Sequence, residues 1–184
     1  IKVLRPRVRE LVNIDLQVVF AILTTLNFFI SYSPFLRSLT TVIMEFRRVI
    51  NEEMNFVLEA RNVKMFQHNL QHEPFARIPK VYDAVSTSRI IVLEYLDGIK
   101  INQVAALEAA GIDIEETIRR LARLYIRQVM IDGLLHADPH PGNILVDHEG
   151  KVIILDFGMV VRIDSFFKQH LIKYAVAIVH HDVD

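Results

Sequence analysis

The sequence predicts an α+β fold in which long helices accompany a few short strands. Apolar residues recur at helical spacing through much of residues 8–70 and again through residues 114–131. Further on, two apolar runs at residues 144–146 and 152–155 flank a turn-forming segment that ends in Gly150, the pattern of a β-hairpin. With 184 residues and 52% hydrophobic content, the chain suffices for one domain or two small lobes.

Composition narrows the classes of function. The net charge of −1 gives no general electrostatic attraction to nucleic acid, so we expect no nucleic-acid partner. Cysteine is absent, which excludes disulfides and thiolate chemistry and fits a reducing compartment. The chain begins without an initiator Met or a signal peptide, so we expect a piece of a longer protein.

The first predicted helix follows a short strand at residues 1–4 and runs over residues 8–30. Residues 16–36 contain no charged residue, which raises the question of a membrane-spanning helix. Scattered Thr, Gln and Asn residues and the break at Pro34 argue against spanning. We therefore expect this helix to lie on a membrane surface or under a partner, the plain alternative being burial within the domain.

The remaining elements follow from the same patterns. A second helical region has an apolar stripe that includes Phe46 and Val57, and a later helix has Ile118 on its apolar face. The last helix is expected to be capped by Asp164 or Ser165. The expected elements are a helical region at 37–70, a strand pair at 81–85 and 89–93, helices at 102–109 and 114–131, and the capped last helix.

Residues 135–159 carry the most information about function. The segment reads LHADPHPGNILVDHEGKVIILDFGM, and the hairpin within it returns Asp156 to the side of Asp138 and Asn143. Asp138 would orient a hydroxyl or a water molecule, while Asn143 and Asp156 would supply oxygen ligands to Mg²⁺. An H-x-D-x-x-x-x-N loop followed by DFG after one hairpin is a specific signal for kinase-type phosphoryl transfer, whereas each residue alone is equally consistent with a cap or a turn.

A zinc hydrolase is an alternative interpretation of the same loop. His136, Asp138 and His140 alternate along the chain, as ligands of a transition metal can. That interpretation leaves Asn143 and the DFG segment without a role. We therefore assign His136 to bracing the loop and His140 to a position near the transferred phosphate.

The order of these segments resembles the UbiB/AarF family of atypical, protein-kinase-like proteins. Four segments carry the resemblance: IKVLRP at residues 1–6, NEEMNFVLEARN at residues 51–62, HADPHPGN and DFGMV. The resemblance implies a protein-kinase-like α+β fold, truncated at both ends. Residues 1–96 would form a partial N-lobe with inserted helices, and residues 97–184 a partial helical C-lobe.

The resemblance also assigns roles to individual residues. Lys2 would contact the ATP phosphates and pair with Glu59, and backbone groups from Glu94 to Leu96 would hold the adenine. The family's E-x-D pair appears here as Glu53 and Asn55, so the second position has lost its charge.

The activity implied by the resemblance is that of an atypical kinase or ATPase that uses Mg-ATP. It also implies support of isoprenoid-quinone (ubiquinone) biosynthesis at a membrane, with a lipid, a quinone precursor or a quinone-biosynthesis complex as partner. Two other classes stay open: a small-molecule kinase of the aminoglycoside or choline phosphotransferase type, and a catalytically silent scaffold that binds nucleotide or lipid. The short connection after DFG favours a small molecule, a lipid or simple ATP turnover over a protein substrate.

Overall fold

A computed structural model describes residues 1–29 and 34–179. Helices and short strands alternate along the chain. The helices are α1 (Val8–Phe29), α2 (Pro34–Glu53), α3 (Phe56–Leu70), α4 (Val104–Ala109), α5 (Ile114–Arg127) and α6 (Ser165–Val179). The strands are β1 (Lys2–Val3), β2 (Ala76–Arg77), β3 (Ile90–Ile91), β4 (Ile99–Lys100), β5 (Leu134–His136), β6 (Ile144–Val146), β7 (Val152–Ile154) and β8 (Val160–Arg162).

The strands form three small sheets. The largest has the order β2-β7-β6-β4, with β2 parallel to β7 and the other pairs antiparallel. β1 pairs with β3, and β5 pairs with β8, both antiparallel. The expected boundary between residues 96 and 97 stays a prediction, although β2 on one side of it pairs with β7 on the other.

The expected hairpin at residues 144–155 is present as β6 and β7. Its turn is held by the Asp147 carboxylate, whose Oδ1 accepts hydrogen bonds from the backbone N–H groups of Glu149 and Lys151, each at 2.9 Å. Gly150 has φ +73°, a conformation that glycine adopts without a steric penalty. Ile144 and Val152 are buried, so the hairpin is part of the hydrophobic core.

The main core lies between α3 and the four-stranded sheet. Phe66 of α3 is 1% exposed, and its ring contacts those of Phe157 and His136. The other buried members of this core are Val63, Leu70, Val81, Leu124, Leu134, Ile144, Val152 and Ile154. The core therefore joins the helix that carries Glu59 to the hairpin that carries Asp156.

The expected strand pair at residues 81–85 and 89–93 is wrong in most of its extent. Residues 83–85 form a 3₁₀ turn, so the pairing that forms is limited to the bridge between Val81 and Leu93, the bond from the Tyr82 N–H to the Val92 carbonyl at 2.9 Å, and the turn closed by the Thr87 N–H and the Ile90 carbonyl at 2.7 Å. The Ser86 hydroxyl oxygen accepts a hydrogen bond from the Val92 N–H at 3.0 Å. Thr87 Oγ1 accepts hydrogen bonds from the backbone N–H groups of Arg89 and Ile90. These hydroxyls replace part of the ladder hydrogen bonds on one edge of β3, and the opposite edge of β3 pairs with β1.

The expected helical region at residues 37–70 is two helices. The break follows from Asn55, whose side chain accepts a hydrogen bond from the Leu58 N–H at 3.3 Å and so caps α3. The second position of the E-x-D segment is therefore a helix cap, and the side chain of Glu53 lies outside the described residues. The apolar stripe was also partly wrong, because Phe46 and Val57 are exposed.

The other helices agree with expectation in part. α5 passes into a π-helical turn over Gln128–Asp132, and Ile118, which was expected on its apolar face, is exposed. Asp164 caps α6, since its Oδ1 accepts from the Phe167 N–H at 2.7 Å. The first expected helix is present as α1, and residue 30 lies outside the described residues.

α1 is largely exposed. Leu16 and Leu23 are its buried residues among those described. By length and composition it is the one helix in the described ranges that is able to cross a membrane, which is weak evidence because buried helices and signal sequences share these properties.

We expect Phe66→Ala to lower the free energy of unfolding by about 3–5 kcal/mol, because it opens a cavity in the main core. Phe46→Ala is the matched control, since Phe46 is 56% exposed, and should change stability by less than about 0.5 kcal/mol. Urea denaturation of both variants measures the difference. Equal losses would contradict the packing described for α3.

Candidate active site

Three charged side chains from distant parts of the chain meet at one point. The Lys2 Nζ lies 2.6 Å from Glu59 Oε1 and 2.9 Å from Asp156 Oδ1. Lys2 is placed by the pairing of β1 with Ile91 of β3, and Glu59 by the first turn of α3. Asp156 follows β7, the second strand of the hairpin. The structure therefore brings together the expected pair of Lys2 and Glu59 and adds Asp156 to it.

The electrostatics of this cluster depend on the burial of Glu59, which is 2% exposed. Burial raises the pKa of Glu59, and the hydrogen bond and charge of Lys2 oppose that rise. For Lys2, burial alone would lower the pKa, but the bonds and charges of Glu59 and Asp156 outweigh it and raise the pKa above its usual value. The ammonium group of Lys2 is therefore kept charged and fixed in position.

Asp138 and Asn143 form a second polar pair. The Asn143 side-chain amide donates to Asp138 Oδ2 at 2.6 Å and to the Asp138 backbone carbonyl at 3.3 Å. A 3₁₀ turn at Pro141–Asn143 sets this geometry, helped by the Asn143 N–H, which donates to the His140 carbonyl at 2.8 Å. The Asn143 carbonyl in turn accepts from the Leu155 N–H at 2.8 Å, so the loop is anchored to the strand that precedes Asp156.

Asp156 has an uncommon backbone conformation. Its φ is +58°, in the left-handed region that non-glycine residues rarely adopt. Its Oδ1 accepts a hydrogen bond from the Gly158 N–H at 3.3 Å. A residue held in this region by the surrounding structure is typical of functional sites, where the strain fixes the direction of one side chain.

His136 braces this part of the site. It is fully buried, and its Nε2 lies 2.7 Å from the Asp156 carbonyl and 3.0 Å from the Leu155 carbonyl. Two carbonyl acceptors require Nε2 to carry a proton. The ring also packs edge-on against Phe66 and Phe157. His136 therefore fixes the backbone of Asp156 to the hydrophobic core.

The zinc alternative has no support in this arrangement. The Nδ1 lone pair of His140 is occupied by the Gly142 N–H at 3.0 Å, and His136 is fully buried with its ring packed against Phe66 and Phe157. Within residues 1–29 and 34–179, no group of three His, Cys, Asp or Glu residues is arranged to hold a metal ion. A magnesium site built from one carboxylate, one amide oxygen, phosphate oxygens and water would not need such a group.

A cavity of about 430 Å³ opens beside these residues. Lys2, Glu59, Asp138 and Asp156 all line it, and Asn143 is bonded to one of them. Its other lining residues are Val3, Leu4, Arg5, Val8, Met54, Phe56, Gly158 and Met159. Mixed charged and apolar walls suit a ligand with both phosphate groups and a flat apolar ring.

Glu94 and Leu96 do not line this cavity. Glu94 Oε2 accepts from the Lys80 N–H at 3.1 Å, and Oε1 lies 3.4 Å from the Arg77 guanidinium. The backbone N–H of Glu94 donates to the Lys80 carbonyl at 2.7 Å, and Leu96 is buried. Contact of this segment with adenine stays a prediction.

Sequence reasoning missed two buried side chains that support the site. The Asn62 amide donates to the Phe157 carbonyl at 2.9 Å, and the Gln128 Oε1 accepts from the His136 N–H at 2.9 Å. Asn62 lies three residues after Glu59, so both point from the same face of α3, and this spacing was a usable signal. Gln128 gave no comparable signal, because its position depends on the π-helical turn.

Comparisons with known proteins show the family and the fold of this chain. The family model for the ABC1 atypical kinase-like domain matches residues 1–184, so the chain belongs to that family, as the resemblance to UbiB/AarF proteins indicated. The chain is 34% identical over 182 residues to the Protein ACTIVITY OF BC1 COMPLEX KINASE 1, chloroplastic, of Arabidopsis thaliana. It is 30% identical over 190 residues to an uncharacterized protein of Synechocystis.

These matches cover nearly all of this chain but only part of each relative. The chain spans 26% of the Arabidopsis protein and 33% of the Synechocystis protein. Among solved structures, Rv3197 of Mycobacterium tuberculosis in complex with erythromycin is similar, with a TM-score of 0.60 and 21% identity over 81% of this chain and 36% of that one. The likeness confirms the protein-kinase-like α+β fold.

Tyr125 gives a test of where Asp138 lies. The Tyr125 hydroxyl is buried without a hydrogen-bond partner among the described residues. Burial, with a further contribution from the charge of Asp138, raises its pKa to about 12. Since the folded pKa exceeds that of the unfolded chain, the stability linked to this proton is complete below about pH 10 and is lost as the pH rises towards 12.

We therefore expect Asp138→Asn to lower the pKa of Tyr125, because it removes a nearby negative charge. Tyrosine absorbance, titrated with pH in the parent and in Asp138→Asn, measures the change, and Tyr125→Phe identifies the signal. Asp83→Asn removes a carboxylate from the far side of α3 and is the control. A Tyr125 titration that is identical in Asp138→Asn would contradict the proximity of the two residues.

Proposed function

We propose that this chain binds Mg-ATP in the cavity beside Lys2 and catalyses transfer or hydrolysis of the terminal phosphate. The observation that carries the proposal is the convergence of Lys2, Glu59, Asp138 and Asp156 on one cavity. Membership of a kinase-like family supports the same chemistry.

Each residue has a distinct part in the proposed reaction. Lys2, held by Glu59, would donate to phosphate oxygens and leave Asp156 free for the metal. The Asp156 carboxylate and the Asn143 amide oxygen are hard oxygen donors, which suit Mg²⁺. The metal ion would neutralise part of the phosphate charge. Asp138 would accept a hydrogen bond from the attacking hydroxyl or water and orient it.

The proposed acceptor is not an ordinary protein substrate. After DFG the chain forms only the short strand β8 before Asp164 caps α6. That connection supplies little surface for docking an extended peptide. We therefore infer a small molecule, a lipid or water as acceptor.

The wider role follows from the family resemblance and is also a proposal. We infer that the whole protein supports isoprenoid-quinone biosynthesis at a membrane surface, with a lipid, a quinone precursor or a quinone-biosynthesis complex as partner. The relatives named above are chloroplastic or bacterial proteins, and the exposed apolar surface of α1 supports membrane association.

We expect Asp156→Asn in the full-length protein to abolish Mg-dependent binding of ATP. The substitution removes an anionic ligand of a hard cation and also one of the two partners of Lys2. Isothermal titration with ATP, with and without Mg²⁺, measures the effect. Asp83→Asn, which removes an exposed carboxylate outside the cavity, should bind as the parent does. Unchanged Mg-ATP affinity in Asp156→Asn would refute the metal assignment.

Asp138→Asn should leave nucleotide affinity nearly unchanged and slow turnover by about 10²-fold or more. The reason is the division of labour between a group that faces the acceptor and groups that face the nucleotide. Phosphate release from ATP, with lipid and quinone-precursor analogues as acceptors, measures turnover. Equal loss of binding and turnover would make Asp138 a structural residue. If the parent shows no turnover under any of these conditions, the scaffold alternative is favoured.

A further inference from the structure

α1 and α2 form a helical hairpin that begins and ends at the cavity. Val8, at the start of α1, and Met54, just after α2, both line the cavity. The Arg9 guanidinium donates a hydrogen bond to the Met54 carbonyl, and the two helices pack on each other. Since the start of α1 is bonded to the residue that follows α2 and the two helices pack together, the helices run in opposite directions.

Charge divides this hairpin into an inner half nearer the cavity and an outer half, which comprises residues 16–29 and 35–44. Between Leu16 and Met44 the sequence contains one charged residue, Arg37, whereas the segments nearer the cavity contain many. This stretch, which is free of charge apart from Arg37, begins about 12 Å from the start of α1 and ends about 15 Å before Met54, at 1.5 Å per residue. The boundary therefore lies at a similar height on both helices, as expected where water gives way to an apolar phase.

The apolar surface of the outer half is exposed. Leu16 and Leu23 face inward, while another stripe of α1 at intervals of three or four residues faces solvent. The residues of this exposed stripe in the outer half are Val18, Ile22, Leu26 and Phe29, and the stripe continues toward the cavity at Ile14 and Leu11. α2 adds Phe35, Val42 and Met44. The patch thus continues across both helices.

Three threonine hydroxyls in the outer half are satisfied within their own helices. Thr24 donates to the Phe20 carbonyl, Thr25 to the Ala21 carbonyl and Thr40 to the Leu36 carbonyl, each at 2.8 Å. Such bonds remove the need for outside acceptors. A partner protein could itself accept hydrogen bonds from these hydroxyls, whereas the hydrocarbon of a bilayer offers no acceptor. Hydroxyls that are satisfied within their own helix therefore suit a bilayer.

We propose that the outer half of the α1–α2 hairpin inserts into one leaflet of a lipid bilayer without crossing it. Residues 16–29 are about 20 Å long and residues 35–44 about 14 Å, so neither segment is long enough to cross a hydrocarbon core of about 30 Å. The cavity then lies about 12 Å from the membrane surface. This inference rests on the proposed function in one respect, because it gives an acceptor anchored in lipid a short route to Asp138.

Flotation of the full-length protein with phosphatidylcholine vesicles, with and without phosphatidylglycerol, tests the insertion. The double variant Ile22→Glu and Leu26→Glu places two charges on the exposed stripe and should reduce vesicle binding at least tenfold. Ile118→Glu with Ile126→Glu on α5 is the matched control, since both residues are exposed outside the hairpin, and should bind as the parent does. The proposal is overturned if both double variants lose vesicle binding to the same extent, or if neither variant loses it.

The depth of insertion is measured separately. Nitroxide labels attached at Phe28→Cys and Glu10→Cys should differ in their accessibility to an aqueous nickel chelate when the protein is bound to vesicles. The label at position 28 should be shielded from the chelate, and the label at position 10 should be accessible to it. Access of the chelate to position 28, or its exposure on the opposite side of the bilayer, overturns single-leaflet insertion. Binding of the parent to a partner protein but not to vesicles also overturns single-leaflet insertion. ATP affinity, measured on the same variants, should be unchanged, so a failure of insertion is distinguishable from a failure of the nucleotide assignment.

Discussion

The carboxylate of Glu59 is buried, and a buried charge without a partner is costly. Lys2 supplies that partner from 57 residues away, and Asp156 completes the cluster from the end of β7. The first strand, the helix α3 and the β6–β7 hairpin must therefore take up one relative position for all three charges to be satisfied. This electrostatic requirement places the walls of the cavity.

The hydrophobic core supports the same arrangement from behind. Phe66 of α3, Phe157 of DFG and the His136 ring pack against one another. Because His136 also donates to the Asp156 carbonyl, packing in the core is converted into a fixed backbone direction at the site. Asn62 adds a hydrogen bond from the same helix to Phe157. Glu59, Asn62 and Phe66 thus allow one helix to supply the charge, the tether and the packing surface.

The α1–α2 hairpin connects this site to the outer surface of the protein. The hairpin is inserted between Lys2 and Glu59 in sequence, yet its two ends meet at the cavity where these residues pair. An insertion of this kind is tolerated because its ends are close in space and its apolar outer half needs no contact with the core. Asn55, which caps α3, separates the hairpin from the helix that carries Glu59.

The sequence by itself determined the elements that depend on local patterns. The hairpin at β6 and β7, the helix α1 and the cap at Asp164 are set by turn chemistry, apolar periodicity and capping residues within a few positions of each other. The polar residues 138, 143 and 156 were recognisable for the same reason, because one loop and one hairpin bring them together. Their catalytic roles stay predictions.

Only the tertiary structure decided which distant segments pair and which apolar residues are covered. β3 was expected to pair with its neighbour in sequence, and one of its edges does face residues 82–87, but its other edge pairs with β1, some 88 residues away, which no local pattern encodes. Phe46 and Ile118 have the periodicity of core residues but face solvent, since periodicity shows that a helix has an apolar face without showing what covers it. The π-helical turn that places Gln128 under His136 likewise depends on packing against β5, which no local pattern encodes.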